Sequence, residues 1–218
     1  MTEVSHSKNV DELGTGKTED IAEKNSLYAI LDQALVCHAG VIMNGKSSVQ
    51  PTAYGRDGDT LYFRSAVAAK EFLSAAAGHI SICVTVLDSI VYGRSVLQFT
   101  MNYRIVEVSG QAREVIGGEA KRRGLRSILE RIAPGSWEYA RQPDDSELAP
   151  IAVLAVDLAE ATVKIRTGGP RDAPADISRN SVWAGEVPIL PPSWGEPVPA
   201  VDLSGPVRVP EHVSSRSY

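Results

Sequence analysis

Short runs of β-branched and aromatic residues, separated by tight-turn dipeptides, constrain the fold of this chain most strongly. Residues 36–43 and 47–54 flank Asn44-Gly45, and Asn-Gly readily adopts the positive φ angles of a two-residue hairpin turn. A second turn at Asp57-Gly58 leads into the apolar run 61–63. We therefore predict an antiparallel three-stranded meander in this part of the chain.

The rest of the sheet is predicted from the same pattern. Residues 80–87 and 91–99 are expected to pair around a turn at Asp88-Ser89 and to be followed by a strand over 102–108. Two last strands are predicted over 151–157 and 161–166. Apolar positions at helical spacing or runs of helix formers predict three helices, over residues 27–35, 66–77 and 119–132.

The length of 218 residues favours one domain with a full core. Residues 1–24 are polar and lack periodicity, which is typical of a flexible N-terminal arm. The domain is expected over 25–190. Residues beyond Thr167 are rich in glycine and proline, which predicts irregular structure there and an irregular C-terminal tail over 191–218.

The charge balance excludes some classes of protein. The chain has 22 basic and 27 acidic residues and a net charge of −5, which argues against coating nucleic acid or an anionic membrane. The basic residues of helix 119–132 alternate with an apolar stripe and acidic neighbours, so we interpret them as a solvated helix face. No apolar run reaches the ~18 residues of a membrane span, and a cytoplasmic protein is predicted.

Cysteine and histidine give no metal-site pattern. Cys37 and Cys83 lie in apolar strand-like runs, where a free thiol usually behaves as a small core hydrophobe. The histidines, at positions 6, 38, 79 and 212, lack the spacing of metal ligands. The sequence therefore predicts no metal centre.

A phosphate-binding set is predicted where the third strand meets the next helix. Arg64 and Ser65 end the strand, and Lys70 lies in the first turns of the helix. Cations and hydroxyls beside helix N-terminal amides suit a phosphate group. The alternatives are a surface arginine at position 64 and a solvated helix lysine at position 70.

An ordered set of segments between about Leu27 and Pro188 resembles the pyridoxamine-phosphate-oxidase-related flavin-nucleotide-binding proteins, a family that includes nitroimidazole-resistance-like proteins. The resemblance implies a mainly β fold with peripheral helices: a six-stranded antiparallel split β-barrel that binds FMN at a homodimer interface. The segments are Pro51-Thr52-Ala53-Tyr54, Asp57-Gly58-Asp59, Leu61-Tyr62-Phe63-Arg64-Ser65, Lys70, Ile82-Cys83-Val84-Thr85, Met101-Asn102-Tyr103-Arg104 and Val182-Trp183-Ala184-Gly185.

The resemblance also implies roles for individual residues. Lys70 falls on the family's basic position for the phosphate. Thr52 and Tyr54 belong to the strand that runs beside the flavin ring in the family, although Tyr54 could instead line the barrel interior. Asn102 and Tyr103 are expected to contact the flavin as well, and the Asn102 amide offers both a donor and an acceptor.

Three further residues are candidates for the substrate side of the site. Trp183 lies among prolines and glycines, and its indole could stack on a flavin or substrate of the neighbouring subunit or plug the gap between loop and barrel. Lys164 and Arg166 form a second basic pair that could bind a substrate anion or complete the phosphate site.

The implied function is that of an FMN-dependent oxidoreductase acting on a small organic substrate, with NAD(P)H as a diffusing co-substrate. No side chain is identified as a catalytic acid or base, as expected where the cofactor carries the chemistry. Two alternatives stay open: a flavin-binding protein without turnover, and a barrel that uses deazaflavin or haem. Haem would need an axial ligand, for which His38 or His79 is available.

Overall fold

The computed structural model describes residues 21–65, 74–75, 77–179, 182–200 and 208–216. Nine strands lie in this part of the chain: β1 (Val36–Met43), β2 (Lys46–Asp57), β3 (Thr60–Ser65), β4 (Ile80–Tyr92), β5 (Thr100–Gly110), β6 (Arg113–Glu114), β7 (Ala152–Asp157), β8 (Thr162–Arg166) and β9 (Gly185–Pro188). The described helices are α1 (Ile21–Gln33), α2 (Gly118–Ile132), α3 (Ser136–Tyr139), α4 (Asp145–Leu148), α5 (Pro174–Arg179) and α6 (Glu211–Ser214), with a 3-10 turn at Val96–Gln98.

The strands form one antiparallel sheet that curls into a half-barrel. The strand order is β6-β7-β3-β2-β1-β4-β5-β8, and β9 pairs with β4. The β1–β2 hairpin turns at Asn44 and Gly45 with φ angles of 51° and 74°, as the Asn-Gly dipeptide predicts. The predicted fold class is confirmed, and β6 and β9 are additional short strands.

Two apolar layers hold the fold together. The barrel interior is filled from the inner faces of the strands and by α1, which inserts its fully buried Leu27, Ile30 and Leu31. On the outside of the sheet, α2 packs over β2, β3 and β7, where Ile128 meets Tyr62 and its neighbours. None of the described helices is long and apolar enough to span a membrane.

Helix α1 begins at Ile21, earlier than the predicted start near Asn25. Contacts distant in sequence hold this first part of the helix: Lys24 pairs with Asp59 at 3.2 Å, and the Tyr28 hydroxyl donates to the same carboxylate. These contacts lower the pKa of Asp59, the Tyr28 hydrogen bond being the larger cause. The polar residues at the start of α1 gave no helical signal in the sequence, because the contacts that hold them are with a residue distant in the chain.

The predicted turn at Asp88-Ser89 is wrong. Strand β4 runs without interruption from Ile80 to Tyr92, and its pairing with β5 shifts by one residue between Leu87 and Ser89. A bulge absorbs one extra residue without reversing the chain. The Arg104 guanidinium stabilises the bulge by donating to Asp88 Oδ1 at 2.7 Å.

The glycine- and proline-rich C-terminal region is more regular than predicted. It contains α5 and β9, and it contains the single turn α6 within the expected irregular tail. Most of the expected N-terminal arm lies outside the described residues, as does most of the predicted helix 66–77 with Lys70.

Candidate functional site

An open cleft lies between α2 and the outer side of β2 and β3. Its volume is about 640 Å³, within the ~300–1,000 Å³ range of small-molecule pockets. Aliphatic and aromatic side chains form most of its wall. The cleft is lined by Pro51, Thr52, Ala53, Arg64, Leu125, Ile128, Leu129, Ile132, Trp137, Pro143 and Ile151.

Two glycines set how closely α2 approaches the sheet beside the cleft. A Cβ atom on Gly55 of β2 would lie 2.2 Å from the backbone carbon of Ser127 in α2. A Cβ atom on Gly124 of α2 would lie 2.8 Å from Val153 Cγ1 on β7. Both distances are far below van der Waals contact, so this packing requires that neither residue carries a side chain. The cleft begins next to this contact, because Ile128, which follows Ser127 in α2, is one of the residues that line the cleft.

Arg64 supplies the charged group of the cleft. It is exposed and has no ion-pair partner among the described residues. Thr52 also lines the cleft, but it is opposite the buried Cys37 in the β1–β2 register, so its side chain lies on the barrel face of β2, and its hydroxyl donates to the Ala53 carbonyl at 3.3 Å. A cation beside an apolar wall can hold a ligand that combines an aromatic body with an anionic group.

Of the predicted phosphate set, the structure places Arg64 at the cleft. Ser65 is the last residue of β3, where it pairs with Ala152 of β7. Lys70 lies outside the described residues. The three-residue phosphate site therefore stays a prediction, of which Arg64 is the structurally located member.

Tyr54 lies in the barrel core and does not line the cleft. Its side chain is fully buried, and its hydroxyl donates to the Leu31 carbonyl at 2.6 Å and lies 3.2 Å from the Ala34 carbonyl. Burial raises the pKa of the phenol. The alternative interpretation, in which Tyr54 lines the barrel interior, describes its position. Its hydroxyl ties β2 to the end of α1.

Replacing Tyr54 by phenylalanine is expected to destabilise the fold without weakening ligand binding. The variant leaves the Leu31 carbonyl unpaired in the core, which costs about 1–2 kcal/mol. Urea unfolding of the wild type and Tyr54→Phe measures this difference, and a flavin titration of both proteins is the control. A large loss of flavin affinity at unchanged stability would contradict the core placement.

Asn102 and Arg166 meet in a buried polar network at the β4–β5 end of the sheet. The Asn102 amide donates at 2.8 Å to both Ser89 Oγ and Glu186 Oε2, and Arg166 donates to Asn102 Oδ1. The amide of Asn102 is thus occupied by contacts within the chain, and the residue is only 4% exposed. This network attaches β9 to the sheet, because Glu186 belongs to β9.

The remaining predicted residues also lie on this part of the sheet, away from the lining of the cleft. Lys164 pairs with Glu107 at 2.6 Å across β8 and β5. Tyr103 is opposite Arg166 in the β5–β8 register. Trp183 is 65% exposed, and its ring centroid lies 5.6 Å from that of Tyr92. The indole thus contacts Tyr92 while most of its surface is exposed, and its expected role at a flavin or substrate stays a prediction.

Sequence reasoning missed several residues of these sites. Leu125, Leu129 and Ile132 belong to a recognised apolar stripe, but the pattern could not distinguish residues that touch the sheet from residues that line an open cleft. Trp137 carried no periodic signal. Glu186 lies in a glycine- and proline-rich segment that gave no strand signal. Its hydrogen bond with Asn102 depends on the pairing of β9 with β4.

A second cavity, of about 440 Å³, lies on the outer side of β1, β4, β5 and β8. His38 of β1 and Cys83 of β4 are register neighbours and both line it, together with Glu107 and Glu160. Cys83 is half-buried, whereas Cys37 is fully buried and burial raises the pKa of its thiol to about 12. His79 Nε2 lies 3.1 Å from Ser109 Oγ. Among the described residues, no group of three or more metal-ligating side chains occurs.

Solved structures resemble the chain over most of its length. A flavocytochrome Anf3 from Azotobacter vinelandii is 32% identical with a TM-score of 0.81, and the match covers 88% of this chain and 89% of that one. An FAD and haem binding protein from Mycobacterium smegmatis is 28% identical with a TM-score of 0.80, covering 88% and 94%. A protein described as a 5-nitroimidazole antibiotic resistance protein, from Bacteroides thetaiotaomicron, shares the fold at 20% identity and a TM-score of 0.56, covering 66% and 84%.

Sequence comparison points to the same group. No curated protein matches the chain. The sequence model described as pyridoxamine 5'-phosphate oxidase matches residues 23–165, which is well over half of the 218 residues. The match spans most of α1, the strands β1 to β7, the helices α2 to α4 and most of β8, and it therefore includes every residue that lines the cleft. Together with the 32% identical flavocytochrome, it establishes that the chain belongs to the pyridoxamine 5'-phosphate oxidase-like family.

Proposed function

We propose that the chain binds a flavin nucleotide, FMN, in the cleft between α2 and the β2–β3 side of the sheet. The observation that carries this proposal is the composition of the cleft: an aliphatic and aromatic wall with Arg64, which has no ion-pair partner among the described residues. An isoalloxazine ring needs apolar contact, and a phosphate needs a cation. The apolar wall and its arginine therefore fit a flavin nucleotide.

Arg64 would hold the phosphate in this arrangement, with Ser65 and Lys70 as its expected companions. Leu125, Leu129 and Trp137 would exclude water from the ring. When bound, the flavin supplies redox chemistry, and the protein's residues bind and orient it. We propose an FMN-dependent oxidoreductase that acts on a small organic substrate, with NAD(P)H as the diffusing co-substrate.

Extraction of the cofactor from purified protein tests the proposal. We expect yellow protein that releases a flavin nucleotide, identified by mass analysis, and that is bleached by NAD(P)H and reoxidised by oxygen. Mass analysis distinguishes FMN from FAD, which the Mycobacterium smegmatis relative binds according to its description. Colourless protein that binds neither flavin would refute the proposal, and bound flavin without turnover would indicate a carrier.

Haem is a second candidate ligand because the descriptions of two relatives name a flavocytochrome and haem binding. His38 lines the second cavity, where its imidazole could serve as an axial ligand. The rest of that cavity fits haem poorly, since Glu107 and Glu160 add negative charge beside an anionic ligand and Lys164 is already paired with Glu107. We therefore do not assign haem to it; a Soret band in purified protein that disappears in His38→Ala would reverse that decision.

We further propose that two copies associate through the outer face of β4, β5 and β9. None of the cleft-lining residues belongs to these strands, so this arrangement differs from the expected flavin site at a dimer interface. The register places Leu87 opposite Tyr103, and Ile90 opposite both Met101 and Val187. Tyr92 extends this apolar face, because its ring contacts those of Phe99 and Trp183 at centroid distances of 5.3 and 5.6 Å. A continuous apolar face with several exposed members is typical of an association surface.

Replacing Met101 by glutamate is expected to yield monomers, because the pairing would bury a carboxylate without a partner. Light scattering with size-exclusion chromatography measures the mass. Ile116→Glu is the matched control, since Ile116 is 75% exposed and lies outside this face. A wild type that is monomeric at micromolar concentration would contradict the proposed association.

A further inference from the structure

The segment 208–216 is attached to the helix corner that forms one wall of the cleft. An Nη2 atom of Arg216 donates to the carbonyl of Ile132, the last residue of α2. The last carbonyls of a helix have no partner within the helix, and a cation there also interacts favourably with the helix dipole. The same guanidinium lies 3.5 Å from the ring centroid of Trp194. Arg216 thus binds α2 and the segment around Trp194 together.

A second contact joins His212 of the same segment to α3. The His212 ring packs against that of Tyr139 with a centroid distance of 5.1 Å. A Cβ atom on Gly135 would lie 3.0 Å from His212 Cβ, and Gly135 has a φ angle of 79°. Glycine is therefore suited to position 135 for two reasons: the left-handed backbone and the room it leaves for His212.

The corner held by these contacts carries two cleft residues. Ile132 ends α2, Trp137 lies in α3, and both line the cleft. The Glu130 carboxylate of α2 accepts hydrogen bonds from the backbone N–H groups of Gly135 and Trp137, at 2.8 and 2.9 Å. It thereby links α2 to the start of α3. A movement of this corner would therefore displace part of the cleft wall.

We propose that residues 208–216 form a C-terminal clasp that holds this wall in its ligand-binding position, with Arg216 and His212 as positioning residues. The inference rests on the proposed flavin site for its functional consequence. If the clasp and the ligand stabilise the same arrangement of the corner, each must strengthen the binding of the other by the same factor. Bound flavin is then expected to protect residues 208–216.

Affinity for FMN tests the clasp directly. Arg216→Ala removes a charged hydrogen bond to the Ile132 carbonyl, and we expect FMN to bind about tenfold more weakly. Arg208→Ala is the matched control, because Arg208 is exposed at the other end of the same segment. His212→Ala is expected to weaken binding too, whereas His212→Phe keeps a ring against Tyr139 and should retain affinity. Equal affinities in Arg216→Ala and wild type would overturn the proposal.

Hydrogen exchange separates the clasp from the flavin assignment. Without ligand, amides of residues 132–139 should exchange about tenfold faster in Arg216→Ala than in Arg208→Ala, while the strands of the barrel exchange equally in both. Addition of FMN to wild type should slow exchange in 208–216. A wild type that binds no flavin refutes the flavin site alone, and unchanged exchange in 132–139 refutes the clasp.

Discussion

Gly55→Ala is expected to lower the stability of this protein by about 3 kcal/mol, at the upper end of the usual cost of overpacking. The new methyl group would lie 2.2 Å from the backbone carbon of Ser127. A flexible side chain could rotate away, but here the obstacle is helix backbone, so α2 as a whole must move away from β2. The apolar contacts of Ile128 with Tyr62 and Val153 would loosen with it.

Thermal and urea unfolding measure this effect, and a fall in Tm of roughly 6–12 °C corresponds to it for a chain of this size. Gly110→Ala is the matched control, since Gly110 also lies in a strand and a Cβ there meets nothing within 4 Å. FMN affinity should fall in the Gly55 variant because α2 forms one wall of the cleft. A Tm equal to that of Gly110→Ala would mean that α2 does not approach β2 as closely as described.

Removing both cations of the proposed phosphate site is expected to weaken FMN binding about a hundredfold. A hydrogen bond to a charged group contributes about 1.5–3 kcal/mol, so Arg64→Ala or Lys70→Ala alone should cost roughly tenfold, and the two losses add if the cations act independently. Riboflavin lacks the phosphate, so its affinity should barely change. Paired titrations of FMN and riboflavin against the single and double variants measure both.

Arg113→Ala is the control for this series, because Arg113 is an exposed arginine that does not line the cleft. The Arg64→Ala variant tests a residue that the structure locates at the cleft, whereas Lys70→Ala tests a residue that is supported by the sequence pattern alone. Equal losses for FMN and riboflavin would show that the phosphate lies elsewhere, even if the ring occupies the cleft.

Strand positions were predictable because they depend on patterns that are short in sequence, and the family was predictable from the order of several such segments. Asn44-Gly45 specifies its own hairpin, since few residue pairs adopt two positive φ angles. The apolar run Leu61-Tyr62-Phe63 predicts a strand, and all three residues are buried because the barrel core covers one face of β3 and α2 covers the other. The same local information failed at Asp88-Ser89, where two polar residues that look like a turn are accommodated in a bulge by the Arg104 guanidinium.

The candidate site was predictable only in part. Arg64 was identified from the strand end that carries it and Thr52 from the family resemblance, and both line the cleft. Tyr54 was assigned to the flavin by the same resemblance, but its hydroxyl is bonded to carbonyls at the end of α1. Asn102 was expected to bind the flavin too, and Glu186, more than eighty residues later in the chain, occupies its amide.

The sequence by itself therefore determined the antiparallel strands, the hairpin turns and the apolar stripe of α2, because each depends on residues close together in the chain. Only the tertiary structure decided which polar groups were free to bind a ligand. Tyr54, Asn102 and Arg64 are all polar residues on strands, and what separates them is whether a distant segment satisfies their hydrogen bonds. Burial without a partner is costly, so the core had to pair Tyr54 and Asn102 internally, while Arg64 lies exposed at the cleft with no ion-pair partner among the described residues.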